Sequence, residues 1–138
     1  MHRYFLSLVV TVLVRNGDAH LKNFGILYQD PASRQGWGSP VFDVVTTTAY
    51  LPADILALTL GGTKRWQTRK ALDKFGQMSC GLPISDIREA FDAAESGLMA
   101  VIPELKRWIK AEPAFAETGR AMLSAWEGGL ASLARTVT

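Results

Sequence analysis

The sequence predicts a mainly α-helical domain of the α+β class: a helical bundle with one small β-hairpin. Three observations support this prediction. An apolar run opens the chain, apolar residues recur at helical spacing through its second half, and between them two short apolar runs flank a loop rich in Gly, Ser and Pro. The sequence contains no repeat, low-complexity tract or linker. We therefore expect residues 1–138 to form a single domain.

The amino-acid composition limits the classes of function that are compatible with this chain. Hydrophobic residues make up 48% of the 138 residues and charged residues 20%, which is typical of a soluble globular chain and argues against disorder. The net charge is only +2, so we predict no direct nucleic-acid partner. The single cysteine, Cys80, cannot form an internal disulfide, and we expect an inert buried thiol in a reducing compartment.

Residues 4–14 are apolar at almost every position. In a helix these side chains would cover all faces, which is typical of a buried helix, although the β-branched residues leave a strand open as the alternative. The run superficially resembles a signal peptide, but no small-x-small cleavage site follows it. It is also shorter than the roughly 20 residues that span a bilayer. We therefore expect a buried core helix in a cytoplasmic protein, with no membrane partner.

Residues 24–28 and 40–42 are predicted to be the two strands of the hairpin, the second strand ending at Asp43. The loop between them runs from residue 29 to residue 38. Residues 44–52 are expected to be an extended loop, and residues 59–63, which include Gly61 and Gly62, another break.

The rest of the sequence predicts helices. The first starts near residue 64, with Ala71, Leu72, Phe75 and Met78 on one face and a closing break over residues 76–83. The second carries the apolar stripe Ile84, Ile87, Phe91, Ala94 and Leu98, with Ser85 or Asp86 available as its cap. Pro103 and Pro113 are expected to interrupt the helices, because proline is disfavoured in a helix interior. The last helix aligns Phe115, Met122, Trp126, Leu130 and Leu133.

The residues that carry chemistry lie between the first helix and the end of the hairpin. Asp18 and Asn23 have the D-x-x-x-x-N spacing of a protein-kinase catalytic loop, and Asp43 lies where a hairpin would return it to them. An Asp can accept the proton of an attacking hydroxyl, and an Asn carbonyl with a second carboxylate can hold Mg²⁺. The alternative is that Asp18 and Asn23 are only turn and cap residues. His20 is interpreted as a scaffold that hydrogen-bonds the backbone, whereas Lys22 either contacts a transferred phosphate or faces water.

The residue types around these positions are more specific than the spacing alone. The pattern Asn16-x-Asp18-x-His20-x-x-Asn23 strongly resembles the catalytic loop of the HipA-type toxin kinases. The segment Pro40-Val41-Phe42-Asp43 resembles the metal-binding segment of that family, and the helical remainder, including Leu58-x-Leu60-Gly61-Gly62, is similar to its C-terminal lobe. The resemblance implies that Asp18 is the catalytic base and that Asn23 and Asp43 are Mg²⁺ ligands. We count Lys22 with Asn23 and Asp43 among the candidate residues for binding ATP and Mg²⁺.

The resemblance also implies a function and partners. The family transfers phosphate from ATP to Ser or Thr of a protein substrate, and it usually pairs with a helix-turn-helix antitoxin. Only 17 residues precede Asp18, and they contain neither a glycine-rich loop nor a strand with an ATP-pairing Lys. From this sequence we expect the N-terminal nucleotide-binding lobe to be absent and the chain alone to be inactive. The alternative function is a non-catalytic binding module that associates with a separate N-lobe, an antitoxin or itself.

Overall fold

The computed structural model of the protein describes residues 1–134. Within these residues there are four α-helices and one two-stranded sheet. The helices are α1 (His2–Leu13), α2 (Arg69–Met78), α3 (Ile84–Ala111) and α4 (Ala116–Leu133), and the strands are β1 (Ile26–Tyr28) and β2 (Gly36–Gly38). Two single turns of 3₁₀ helix, Leu21–Asn23 and Thr47–Ala49, lie in the connections. The predicted class, a helical bundle with a small hairpin, is confirmed.

The core forms where α1, α3 and α4 pack together. Phe5 of α1 and Phe91 of α3 are fully buried and meet edge to face, with ring centroids 5.8 Å apart. Val9 on the same side of α1 and Leu133 at the end of α4 are also fully buried. Helix, rather than strand, is therefore the conformation of the first apolar run. No helix within residues 1–134 has the length and apolar character needed to cross a membrane.

The second strand of the hairpin lies earlier than predicted. β1 pairs antiparallel with β2, placing Ile26 opposite Gly38 and Tyr28 opposite Gly36, so the prediction of a strand over residues 40–42 is wrong. A Cβ on Gly36 would lie 2.6 Å from Ile26 Cγ2 and 2.9 Å from the Tyr28 ring. This glycine therefore makes room for cross-strand side chains instead of forming a turn. Pro40, which has no N–H to donate to a ladder, follows the strand.

The start of α2 also differs from the prediction. The helix begins at Arg69, not near residue 64, because Thr68 is its cap and accepts a hydrogen bond from the Ala71 N–H at 3.3 Å. Met78 is 78% exposed and does not belong to the core. Gly76 lies inside the helix and is buried against α1 and α3, so the break begins only after Met78.

α3 is longer than predicted because it continues through Pro103. The proline removes one backbone donor, but Pro103 and Met99, whose carbonyl loses that donor, both lie on the exposed face of the helix. Water can reach the freed carbonyl there. The predicted cap at Ser85 or Asp86 is also wrong, since Pro83 occupies the capping position and the Ser85 hydroxyl donates to Asp86 instead.

The connection between the hairpin and α2 contains two ordered turns. The predicted extended loop over residues 44–52 includes the 3₁₀ turn Thr47–Ala49. The break over residues 59–63 is confirmed, since Leu60 and Thr63 pair across Gly61 and Gly62, whose φ angles are 59° and 82°. Both glycines thus occupy the left-handed region that few other residues adopt readily.

Candidate active site

The loop after α1 turns sharply and directs Asp18 to solvent. Arg15 has a φ of 58°, in the left-handed region. The buried Asn16 then holds the turn from both sides: its N–H donates to the Thr11 carbonyl at 2.9 Å, and its Oδ1 accepts from the Asp18 N–H at 3.0 Å. This side-chain turn is the physical reason for an asparagine two residues before Asp18.

Asp18 is paired with a histidine. His20 Nε2 lies 3.2 Å from Asp18 Oδ1, and both side chains are about half exposed. The His20 N–H also donates to Asn23 Oδ1 at 3.0 Å. The predicted scaffold role of His20 agrees with the capping box of Leu21–Asn23, in which its side chain faces the Asn23 backbone, and the imidazole also contacts the carboxylate of Asp18. One oxygen of Asp18 is thus oriented by His20, and the other stays accessible.

Asn23 and Asp43 lie side by side across the open end of the hairpin. Asn23 Nδ2 donates to Asp43 Oδ2 at 3.0 Å. Asp43 is exposed and has a φ of 55°, which Asp tolerates better than most residues. Asn23 Oδ1 has a second lone pair and Asp43 a second carboxylate oxygen, and both atoms are hard oxygen donors. Such a pair fits Mg²⁺, which keeps several waters and takes only one or two carboxylates from a protein.

The four polar residues form one chain of polar contacts, made of the Asp18–His20 contact and two hydrogen bonds. His20 connects Asp18 to Asn23, and Asn23 connects to Asp43. Lys22 lies on the same 3₁₀ turn with an exposed side chain, which is compatible with either interpretation of this residue. Residues 1–134 contain no cluster of three or more His, Cys, Asp or Glu that could hold a metal ion. A metal at this site would therefore depend on the Asn23–Asp43 pair together with water or phosphate ligands.

Arg15 attaches the loop to α4, a role that no local sequence signal indicated. Its Nη2 donates to the Gly128 carbonyl at 3.1 Å and to Ser132 Oγ at 3.2 Å, so it joins the loop to α4. Its guanidinium also lies 5.1 Å from the Trp66 ring centroid. Burial lowers the pKa of Arg15, but an arginine remains charged throughout the physiological range.

Comparison with known proteins places these elements in a family. Residues 1–102 match the family model of the HipA-like C-terminal domain, and this range contains all four residues of the chain of polar contacts. A stretch of 63 residues is 39% identical to a protein of Sinorhizobium fredii (strain NBRC 101917 / NGR234) named "Putative kinase Y4dM". That match covers 45% of this chain but only 15% of the other protein, so the chain spans a small part of its relative's length. Because the family match extends over well more than half of the sequence, the chain belongs to the family of HipA-like C-terminal domains.

Proposed function

We propose that this chain supplies the base and the metal-binding residues of a Ser/Thr protein kinase, which transfers the γ-phosphoryl group of ATP to a protein hydroxyl. The observation that carries the proposal is the contact between Asn23 and Asp43, linked through His20 to Asp18. Membership of the family supports it, as does the kinase name of the relative. The same residues used only as turn and cap residues would not need a carboxylate and an amide in contact across the hairpin.

The residues divide the chemistry among them. Asp18 would accept the proton of the substrate hydroxyl with its free oxygen, while His20 holds the other oxygen. Asn23 and Asp43 would hold Mg²⁺, which neutralises phosphate charge when it is bound. Lys22 lies on the same turn as Asn23 and can reach a phosphate from the solvent side.

A nucleotide bound at this site would need a second lobe of protein to cover it. Residues 1–134 contain no glycine-rich loop joined to a strand with a lysine that could cover the phosphates. We propose that a further lobe of polypeptide binds the adenine and the β-phosphate, and that this chain assayed alone does not transfer phosphate. Transfer by the isolated chain that Asp18→Asn abolishes would contradict this part of the proposal.

Metal binding is the direct test of the proposed site. Binding of Mn²⁺, a spectroscopic substitute for Mg²⁺, can be followed by the loss of its free-ion electron paramagnetic resonance signal, with ADP supplying further oxygen ligands. We expect Asp43→Asn to weaken binding at least about tenfold, because it removes the carboxylate charge. Asp18→Asn is the matched control and should bind Mn²⁺ nearly as the wild type does, since Asp18 is not a ligand. Wild-type affinity in Asp43→Asn would refute the metal assignment.

A binding module is the second candidate, and a specific surface favours it. The hairpin exposes apolar side chains on both faces: Ile26 is 63% exposed, Tyr28 52% and Trp37 46%. A two-stranded ribbon is marginally stable by itself, and apolar surface of this kind marks an interaction site. The candidate partners are a separate N-lobe, a helix-turn-helix antitoxin, a protein substrate and a second copy of the chain.

A further inference from the structure

A hydroxyl group from a distant segment also contacts the loop that carries Asp18. Thr47 Oγ1 accepts a hydrogen bond from the Gly17 N–H at 2.8 Å and donates one to the Arg15 carbonyl at 3.2 Å. It therefore contacts the backbone on both sides of Asn16. Thr47 begins the 3₁₀ turn Thr47–Ala49 and lies four residues after Asp43, so it belongs to the other half of the candidate site.

The loop that Thr47 contacts cannot easily adopt another position. Arg15 has a φ of 58°, a conformation that persists only when neighbouring contacts maintain it. Gly17 lies so close to the following segment that an added Cβ would overlap the Asp54 carboxylate and lie 2.6 Å from the Ile55 carbonyl. If the Thr47 hydroxyl were removed, the Gly17 N–H and the Arg15 carbonyl would lose this part-buried partner.

The residue before Thr47 fixes the same turn to the core. Thr46 Oγ1 accepts from the Trp126 indole N–H at 2.7 Å, and both side chains are buried. Trp126 belongs to α4, so the turn is attached to the helical bundle. The Asp18 loop and the segment that carries Asp43 are thus both attached to the same anchored turn.

We propose that Thr47 is a positioning residue, whose hydroxyl fixes the Asp18 loop against the segment that carries Asp43 and so keeps Asn23 and Asp43 in contact. The hydrogen bonds of the Thr47 hydroxyl are to Gly17 and Arg15, and not to Asn23 or Asp43. The expected effect on metal affinity rests on the proposed function. The effect of the Thr47 hydroxyl on the position of the loop can be measured without metal.

Three variants separate the hydroxyl from the rest of the side chain. Thr47→Val removes the hydroxyl at nearly constant shape, and Thr47→Ser retains it. Thr48→Val is the matched control, because the buried Thr48 hydroxyl has no hydrogen-bond partner among the described residues. In the Mn²⁺–ADP titration we expect Thr47→Val to bind about tenfold more weakly. We expect Thr47→Ser and Thr48→Val to bind as the wild type does.

Hydrogen exchange of the metal-free protein gives the second readout. We expect the Gly17 backbone amide and the Asn23 side-chain amide to exchange at least about tenfold faster in Thr47→Val, while amides in α3 are unchanged. Thr47→Ser should restore slow exchange. If Thr47→Val is unfolded by circular dichroism, Thr47→Ala, which introduces no methyl group at the hydroxyl position, takes its place.

The outcomes distinguish this inference from the proposed function. Unchanged exchange at Gly17 and Asn23 in Thr47→Val would overturn the positioning role, whatever the metal does. A uniform loss of stability with unchanged Mn²⁺ affinity would overturn it as well, because Thr47 would then be merely structural. Absence of Mn²⁺ binding by the wild type would refute the proposed function, and exchange at Asn23 would still decide whether Thr47 fixes the contact with Asp43.

Discussion

At the scale of single residues, Asp43 combines a demanding backbone conformation with an exposed carboxylate. Its φ of 55° costs roughly 1–2 kcal/mol for most residues, but Asp and Asn tolerate it because their short polar side chains bond locally. The hydrogen bond from Asn23, which lies 20 residues earlier, is a tertiary contact that further fixes the Asp43 side chain. The residue type is therefore constrained both by the backbone and by the proposed metal.

The two constraints on Asp43 can be measured separately. We expect Asp43→Asn to fold with a free energy of unfolding within about 0.5 kcal/mol of wild type, because Asn also tolerates the left-handed region. Asp43→Ala should lose about 1 kcal/mol or more, because Ala does not. Urea unfolding measures both values. Equal stability of the Ala and Asn variants would show that the backbone conformation of residue 43 differs in solution.

Cys80 gives a prediction about alkaline pH. Burial raises the pKa of its thiol above the ordinary 9.0, so the unfolded chain ionises first as the pH rises. The resulting stabilisation of the folded state is complete below the unfolded pKa and is lost as the pH rises toward the folded one. We expect the wild type to lose more stability than Cys80→Ala between about pH 7 and about pH 10, as measured by urea unfolding. Parallel pH profiles for the two proteins would contradict a buried neutral thiol.

At the scale of elements, the close crossing of α1 and α4 holds the start of the candidate site. Gly129 of α4 is buried against the last turn of α1, where a Cβ would overlap the Leu13 carbonyl. Arg15 bonds to the same part of α4. Glycine is therefore required at this position for space, not for flexibility.

A pair of neighbouring glycines tests the crossing. We expect Gly129→Ala to destabilise the protein by about 1–3 kcal/mol, because α1 must shift to admit the methyl group. Gly128→Ala is the matched control: a Cβ there meets nothing within 4 Å, and Ala is the better helix former by about 1 kcal/mol. The two melting temperatures should move in opposite directions. A tolerated Gly129→Ala would mean that α1 and α4 pack less closely than described.

Local periodicity predicted some elements and not others. The apolar stripes predicted most of α3 and α4, because burial of one face imposes helical spacing, whereas a run apolar on all faces predicted α1. The prediction missed β2 because Gly36 and Gly38, flanking Trp37, indicate a turn by composition, whereas both pair with β1 and Gly36 makes room for cross-strand side chains. Pro103 was taken for a break because its exposed position in α3 depends on packing, which the sequence does not display.

The residues of the candidate site also divide into those that the sequence predicted and those that it did not. Asp18, Asn23 and Asp43 could be named from spacing and from the family resemblance, and the structure brings Asn23 and Asp43 into contact. Arg15 and Thr47 could not be assigned roles, because their partners lie up to 117 residues away in the sequence. An arginine after a helix and a threonine in a loop have no periodic signature, and only the tertiary structure gives them a role.

At the scale of the whole molecule, the described residues form a buried helical core with an exposed apolar hairpin at one end of the site. The exposed side chains include Phe42 and Val45 of the segment that follows β2, so the apolar surface continues past the strands. Since the Asn23–Asp43 contact lies at the open end of this hairpin, a partner bound there would also approach the candidate site.

Association should therefore depend on the hairpin. We expect the chain to self-associate with rising concentration in light scattering, and Ile26→Ser together with Trp37→Ser to shift it toward monomer without loss of helical circular dichroism. Substituting Met99, an exposed residue of α3 outside the hairpin, by Ser is the control and should have no effect. A strictly monomeric wild type would remove the second copy from the candidate partners.

The most direct test of the proposed site is anomalous scattering from crystals of the chain soaked with Mn²⁺ and ADP. We expect an anomalous peak at about 2 Å from Asn23 Oδ1 and from a carboxylate oxygen of Asp43, with Asp18 outside the coordination sphere. A Mn²⁺ ion bound elsewhere, with Asn23 and Asp43 still bonded only to each other and to His20, would contradict the central claim that this hairpin holds the metal of a kinase site.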